Sequence, residues 1–421
     1  MRLTQSSTRL LRTYCAYAFL FDFMLCYAIY TALFELKGLT NTEIAALIAF
    51  WSATAVVLEV PSGALSDRFD RRWLLFIAPL AKIFTFVCWG IADGNFWLYG
   101  LGFLFWSVGS ALYSGTGEAL LYERLDSNGE ATQFDIALGR ASAAESLGIG
   151  TATLLGGFVA ASNMTLSVWL SIPPLLLAAL VALFMHDVRR SGAAATHAGH
   201  ENEGTNNRDA ENKVVAEADQ AMTYVGHLRE ALKEFRRSAD LRAITLYISA
   251  GLILFDVLEE FDQLYYLAVQ LPVWLFGVVA AAALSCNALA SVFAHRTVGR
   301  PALAWLLPLL GGALLVVAGM GSAPAMVVVL ELAYVVVVPV TVLAEARFQA
   351  MMDGRSRATT TSMLVVAQNI FGIVVTMLFG GLADYVGVGP AYAWMGMTMV
   401  PFALWTWRQQ HLGISVIGRT G

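Results

Sequence analysis

Twelve stretches of this chain are each long and apolar enough to cross a bilayer, which fixes the solvent in which it folds. A helix needs about 20 mostly apolar residues to span a hydrocarbon core of about 30 Å. Such runs occupy residues 13–35, 43–66, 73–92, 95–121, 134–161, 165–186, 241–269, 272–293, 301–322, 324–346, 359–384 and 388–408. Only 14% of the 421 residues are charged, against about 25% in an ordinary soluble domain. That leaves too little polar surface for a water-soluble enzyme. The first run follows Arg2, Arg9 and Arg12, yet it is too long for a signal peptide and lacks a small-residue cleavage site. It reads as a retained span.

Basic residues test the count independently, because cytoplasmic loops of membrane proteins keep their lysines and arginines. The amino terminus, the loops after spans 2, 4, 6, 8 and 10 and the carboxyl tail hold 24 of the 26. Lys37, at the outer end of span 1, and Lys82, inside span 3, are the two left over. Both termini are therefore expected in the cytoplasm. The net charge of −5 says little about partners, and nothing supports nucleic-acid binding. Cys15, Cys26, Cys88 and Cys286 lie within spans at no metal-ligand spacing, so neither a disulfide framework nor a metal site is expected. No phosphate-binding Gly-x4-Gly-Lys-[Ser/Thr] loop occurs, and no cofactor is implied.

The chain divides once. Residues 187–240 open on a polar, Gly- and Asn-rich stretch too poor in apolar residues to fold alone. Val225, Leu228, Leu232 and Phe235 then recur among Arg229, Lys233, Arg236 and Arg237. That is the pattern of a basic amphipathic helix on cytoplasmic headgroups, or of a solvated helix. Residues 1–186 and 241–421 carry six spans each, with signs of a repeat. The loop beginning at Gly63 is echoed 228 residues on at Ser291, and Gly156-Gly157 recurs 224 residues on as Gly380-Gly381.

The loop after span 2, Gly63-x-x-x-Asp67-Arg68-x-x-Arg71-Arg72, preceded by Glu59-Val60-Pro61, resembles the signature loop of the major facilitator superfamily. The span count, the central loop and the second-half echo are similar to the same family over the whole chain. The resemblance implies an all-α membrane protein of twelve transmembrane helices in two pseudo-symmetric six-helix bundles, which rock around a central cavity. It also places Asp67 against the amino end of span 11, near Arg357, where a helix dipole favours an anion. Gly63, Asp67, Arg68, Arg71 and Arg72 are on this reading a conformational gate that latches the cytoplasmic side. The alternative is a topology anchor, which accounts for the arginines alone.

Ionisable groups inside spans are costly and mark pathways or proton sites. Asp22 lies about 14 Å into span 1 at 1.5 Å per residue, near the midplane. Glu118 lies in span 4, nearer the cytoplasm. On span 7, Asp256, Glu259, Glu260 and Gln263 share one helical face, and Glu331 lies on span 10. In the resembled family spans 1, 4, 7 and 10 line the cavity, which makes these residues candidates for substrate or proton binding. Glu259, Glu260 and Asp262 also fit a wetted outer rim. Lys82 reads as a paired or snorkelling structural lysine. Gln368, Asn369 and Asn287 fit substrate contacts or helix packing equally. Phe19, Phe21, Phe23, Tyr27, Tyr30, Trp106, Tyr265 and Tyr266 suit an aromatic ligand or mere packing.

Together these readings predict a monomeric plasma-membrane protein that moves a small organic compound, with protons as the coupling ion. Export by antiport is preferred, although Ala152-Thr153 replaces the Gly-Pro of the exporter motif in span 5 and span 4 lacks the expected arginine. A proton symporter or uniporter for uptake, and a transporter-like sensor without flux, are the alternatives.

Overall fold

Capping side chains set where many of the helices begin. In the computed structural model, which describes residues 3–185, 238–351 and 357–412, Thr4 caps α1 (Gln5–Phe21) by accepting the Ser7 amide. After a 3₁₀ turn the chain re-enters helix as α2 (Tyr30–Leu36). A Thr40–Glu43 capping box opens α3 (Asn41–Arg68), Asp70 caps α4 (Arg71–Ala92) and Asn95 caps α5 (Phe96–Tyr113). There follow α6 (Thr116–Ser127), α7 (Phe134–Ser162), α8 (Met164–Leu170) and α9 (Ile172–Ala182). The second stretch comprises α10 (Ala239–Leu246), α11 (Ile253–Glu259), α12 (Asp262–Ala268), α13 (Trp274–Val292) and α14 (Leu303–Met320). It closes with α15 (Met326–Ala350), α16 (Arg357–Val386), α17 (Val388–Met397) and α18 (Met399–His411). No strand occurs among the described residues.

Ten helical stretches among the described residues are long and apolar enough to cross a membrane, where the sequence predicts twelve. The first and last predicted spans are not continuous helices. Span 1 breaks between Asp22 and Ile29 into α1 and α2. Span 12 is interrupted at Thr398, whose hydroxyl donates to the Met395 carbonyl at 2.6 Å. Span 7 is also broken: a π-helical stretch at Tyr247–Leu252 links α10 to α11, and helix stops at Glu259 before resuming at Asp262. Hydropathy reports burial in lipid and is blind to such breaks. Leu147, Phe158, Leu180 and Ile370 are exposed on the bundle surface, as lipid contact requires. The chain is an integral, multi-pass membrane protein.

One arrangement of neighbours occurs twice. In the first stretch α4 packs on α5 and α9, α3 on α5, and α1 on α7. In the second, α14 packs on α15 and α17, α13 on α15, and α11 on α16. The two stretches meet through α3 with α16 and α7 with α13. Gly157 and Gly277 make the second contact possible, since a Cβ on Gly157 would lie 2.7 Å from the Gly277 nitrogen. A Cβ on Gly380 would lie 2.4 Å from the Ala45 Cβ. The doubled glycines seen in the sequence thus each put one member at a helix crossing between the stretches. The predicted linker falls outside the described residues from 187 to 237, its amphipathic segment included, and its last two residues already belong to α10.

All described hydrogen bonds between the stretches lie between mid-helix and one end of the bundle. Asp384 accepts the Asn41 and Thr42 amides at 2.8 and 2.9 Å, adding a second cap to α3. Ser52 donates to Asn369 at 2.7 Å near mid-span, so Asn369 serves helix packing. This end is opposite the basic loops. Its one basic side chain on the first stretch, Lys37, pairs with Asp93 at 2.6 Å. At the basic end, Glu130 accepts the Thr4 amide at 2.5 Å and the Ser7 hydroxyl at 2.5 Å.

Two outcomes are expected. Gly157→Val overpacks the crossing, at a typical cost of about 1–3 kcal/mol, and double electron–electron resonance between labels on the ends of α7 and α13 opposite the basic loops will report a longer distance. The Ser7 hydrogen bond, followed by the Thr4 bonds, holds the Glu130 carboxyl below its ordinary value of 4.5. A depressed folded pKa contributes stability above that ordinary value, which is lost as pH falls through the folded one. Protection of the first turn of α1 against hydrogen exchange, relative to the intrinsic rate at each pH, will therefore fall on acidification below 4.5, and already at neutral pH in Glu130→Gln.

Candidate functional site

The breaks in spans 1 and 7 face each other and build the central site. Where helix stops, backbone groups lose their partners and must find others, because hydrocarbon supplies none. Gln263, at the start of α12, meets that need. Its Oε1 accepts the Thr31 amide and hydroxyl, both at 3.0 Å, and its Nε2 donates to the Tyr27 carbonyl at 2.7 Å. Beside it the Tyr30 hydroxyl donates to Glu260. On the other flank the Cys26 amide donates to Ser171 at 3.3 Å.

A cavity of about 330 Å³ lies between these breaks, lined by residues of both stretches. The second stretch supplies its acids, Asp256, Glu259, Glu260, Asp262 and Glu331. The first stretch supplies much of its aromatic wall, including Tyr30, Trp51, Trp89, Phe103 and Trp106. Among the described residues around it there is no lysine, arginine or histidine. The predicted stripe of Asp256, Glu259, Glu260 and Gln263 does converge on one space, with Glu331 across from it. The π-helical stretch and the break at Glu260 shift the helical phase along span 7, so this convergence is not that of a straight helix.

Three of the acids are held by tyrosines. Besides the Tyr30 bond to Glu260, Tyr266 donates to Glu331. Asp262 accepts from Tyr334 at 2.6 Å and from Tyr392 at 3.0 Å. Asp262 is 7% exposed, which excludes it from a wetted rim; the reason is the break before it, which turns the residue inward. Tyr334 and Tyr392 were not signalled by sequence, as nothing marks a tyrosine in an apolar helix as a carboxylate partner. Of the aromatics singled out, Tyr27, Tyr30, Trp106 and Tyr266 line the cavity, whereas Tyr265 donates to the Ala318 carbonyl at 2.6 Å and packs.

Asp22 does not line that cavity. It sits where α1 ends, accepting from Lys82 Nζ at 2.9 Å and from the Tyr27 hydroxyl at 3.0 Å. Lys82 is 2% exposed and lies 3.9 Å from the Phe21 ring centroid and 5.3 Å from that of Trp106. The lysine is therefore paired, and its partner is the leading intramembrane acid. Glu145 on α7 lies beside Asp22, which links the pair to a second, smaller cavity of about 190 Å³ toward the basic end, lined by Glu118, Glu145, Tyr14 and Tyr113. Glu118 thus belongs with Asp22 and apart from the span 7 acids.

Of the gate residues, Arg71 is buried and pairs with Glu123 of α6 at 2.6 Å, and Arg72 stacks over Trp73 at 5.2 Å. Both contacts lie within the first stretch. The surroundings of Gly63 and the side chains of Asp67 and Arg68 lie outside what the structure describes.

Residues 15–353 match the family model of the Major Facilitator Superfamily. The chain belongs to that family. Solved structures share the fold: the nucleoside transporter NupG has a TM-score of 0.72 at 12% identity, with 96% of this chain and 99% of that one covered. A bacterial homolog of the human lysosomal transporter Spinster, inward-facing and occupied, has a TM-score of 0.67 at 13% identity, with 98% of each chain covered. A D-xylose-proton symporter has a TM-score of 0.61 at 16% identity, covering 95% of this chain and 97% of that one. No curated protein matches the chain by sequence.

Removing one member of a buried ion pair leaves the other uncompensated, which typically costs about 3–5 kcal/mol, whereas replacing both with apolar groups is far milder. Asp22→Asn is expected to lower the unfolding temperature sharply, and Asp22→Asn with Lys82→Met to recover most of the loss, as thermal unfolding in detergent will report.

Proposed function

We propose that the chain is a secondary transporter that carries a small organic compound across the plasma membrane by alternating access, exporting it in exchange for protons. The observation that carries this reading is the central cavity itself: five carboxyls around one space, with no basic residue among its described lining, where the two stretches of a family member meet. Such a set of acids cannot all stay charged in a low dielectric without a proton or another cation, so loading and unloading of the cavity are tied to ion binding. Asp22, Glu118 and Glu145 form a second acidic group reaching from mid-membrane toward the basic end.

On this reading residues 1–186 and 241–421 are two six-helix bundles, with both termini and the basic loops cytoplasmic. Spans 1, 7 and 12 cross as broken helices. The end opposite the basic loops is then extracellular. Gly63, Asp67, Arg68, Arg71 and Arg72 form the cytoplasmic gate. The protein works as a monomer, and the bilayer is its remaining partner.

Uptake by proton symport is the second reading, favoured by the D-xylose-proton symporter among the similar structures and by the missing Gly-Pro of the span 5 motif. Reconstituted vesicles with an internal pH dye separate the two. Under exchange, at least one compound in a panel of cationic, neutral and anionic small molecules drives protons opposite to its own movement, and Glu259→Gln lowers that flux at least tenfold. Protons moving with the compound would establish symport. A panel in which nothing moves, while a compound still binds, would make the protein a sensor.

A further inference from the structure

We infer that the ligand of the central cavity is a protonated amine carrying an aromatic group, held by its N–H donors against Asp256 and Glu259. This rests on reading the cavity as the transport site. The argument begins with which polar groups around the cavity are already engaged. The hydroxyls of Tyr27, Tyr30 and Tyr266 donate to Asp22, Glu260 and Glu331 respectively. The Gln263 amide donates to the Tyr27 carbonyl, and the Trp89 indole donates to the Tyr99 carbonyl at 3.1 Å. The tyrosine hydroxyls and the Gln263 amide, the donors best suited to a carboxylate, a phosphate or a sugar oxygen, are committed to the protein; of the wall's indoles, that of Trp89 is committed as well.

Acceptors are left over. Asp256 and Glu259 are exposed to the cavity. No described hydrogen bond holds Asp256, and the Asn287 side chain lies beside Glu259. Asn287 Oδ1 is itself shielded from solvent with no hydrogen-bond partner, at the cavity wall. Two carboxyls with acceptor capacity to spare line one space, so the missing partner is a donor, and the carboxyls make it a cation. Asp256 and Glu259, three residues apart on α11, are neighbours on one helical face.

The opposite wall gives the rest of the ligand its shape. Trp89 stacks with Trp106 at 5.5 Å and with Tyr30 at 5.8 Å, and meets Phe103 at 4.9 Å. Ring faces carry negative potential and attract a cation, while the rings accept a planar apolar group. A volume of about 330 Å³ is at the small end of ligand cavities, at about 300–1,000 Å³, which suits a compound of one or two rings. Because the rings belong to the first stretch and the free carboxyls to the second, such a compound bridges the two.

Isothermal titration of the full chain in detergent, with tryptamine, its N,N,N-trimethyl derivative and indole-3-propionate, tests the inference. Tryptamine is expected to bind at least tenfold tighter than the trimethyl compound, which has the charge without the ammonium N–H donors, and indole-3-propionate not to bind. Asp256→Asn and Glu259→Gln are each expected to weaken tryptamine at least tenfold, in protein that keeps its unfolding temperature. Equal binding of the trimethyl compound, equal binding of indole-3-propionate, or no binding of tryptamine at millimolar concentration would overturn the inference. These results are independent of flux. Tryptamine bound but not carried in vesicles would sink the transport reading and leave the ligand class standing, whereas carriage of indole-3-propionate without amine binding would do the reverse.

Discussion

A helix that stops inside a bilayer strands amide and carbonyl groups where no water can reach them. Spans 1 and 7 both stop there, and the site follows from how the stranded groups are satisfied. Gln263 reaches from one break into the other and bonds the Thr31 amide and the Tyr27 carbonyl. That bridge ties the two stretches together at the floor of the cavity, and it turns Glu260 toward Tyr30 and Asp262 toward Tyr334 and Tyr392. Irregular backbone inside a membrane protein is tolerated where it lines a cavity, and here both breaks do.

The acids then sort into groups with different surroundings. Asp262, Glu260 and Glu331 are fixed by tyrosine hydroxyls, while Asp256 and Glu259 remain open to the cavity. Asp22 stands apart, paired with Lys82 under aromatic rings. A buried ion pair is seldom a net gain in stability, since desolvation offsets the attraction. Its position at the end of α1, with Glu145 on one side and Tyr27 on the other, places it between the two cavities.

Much of the helix plan was legible because it rests on local signals. Apolar run length placed nearly every helix, and Thr40, Asp70 and Asn95 mark helix starts by ordinary capping chemistry. The stripe from Asp256 to Gln263 was visible from charge alone, as ionised groups are too costly in lipid to be incidental. The breaks escaped because Asp22–Ile29 and Glu260–Phe261 contain neither proline nor glycine. What stabilises these breaks is a side chain more than 200 residues away in sequence, as between Gln263 and Thr31. The tyrosine partners escaped for the same reason, and the aromatic wall because Trp51 and Phe103 differ in no local way from lipid-facing rings.

The sequence by itself determined the solvent, the family and the short set of acids inside the spans. Each of these depends on what one residue costs in water or hydrocarbon, which composition and spacing record directly. Only the tertiary structure decided which acids share a cavity, which are tied by hydroxyls, and that Lys82 belongs to Asp22. Those outcomes depend on pairings between distant segments, where a hydrogen bond of about 3 Å exists or not according to the packing of whole helices.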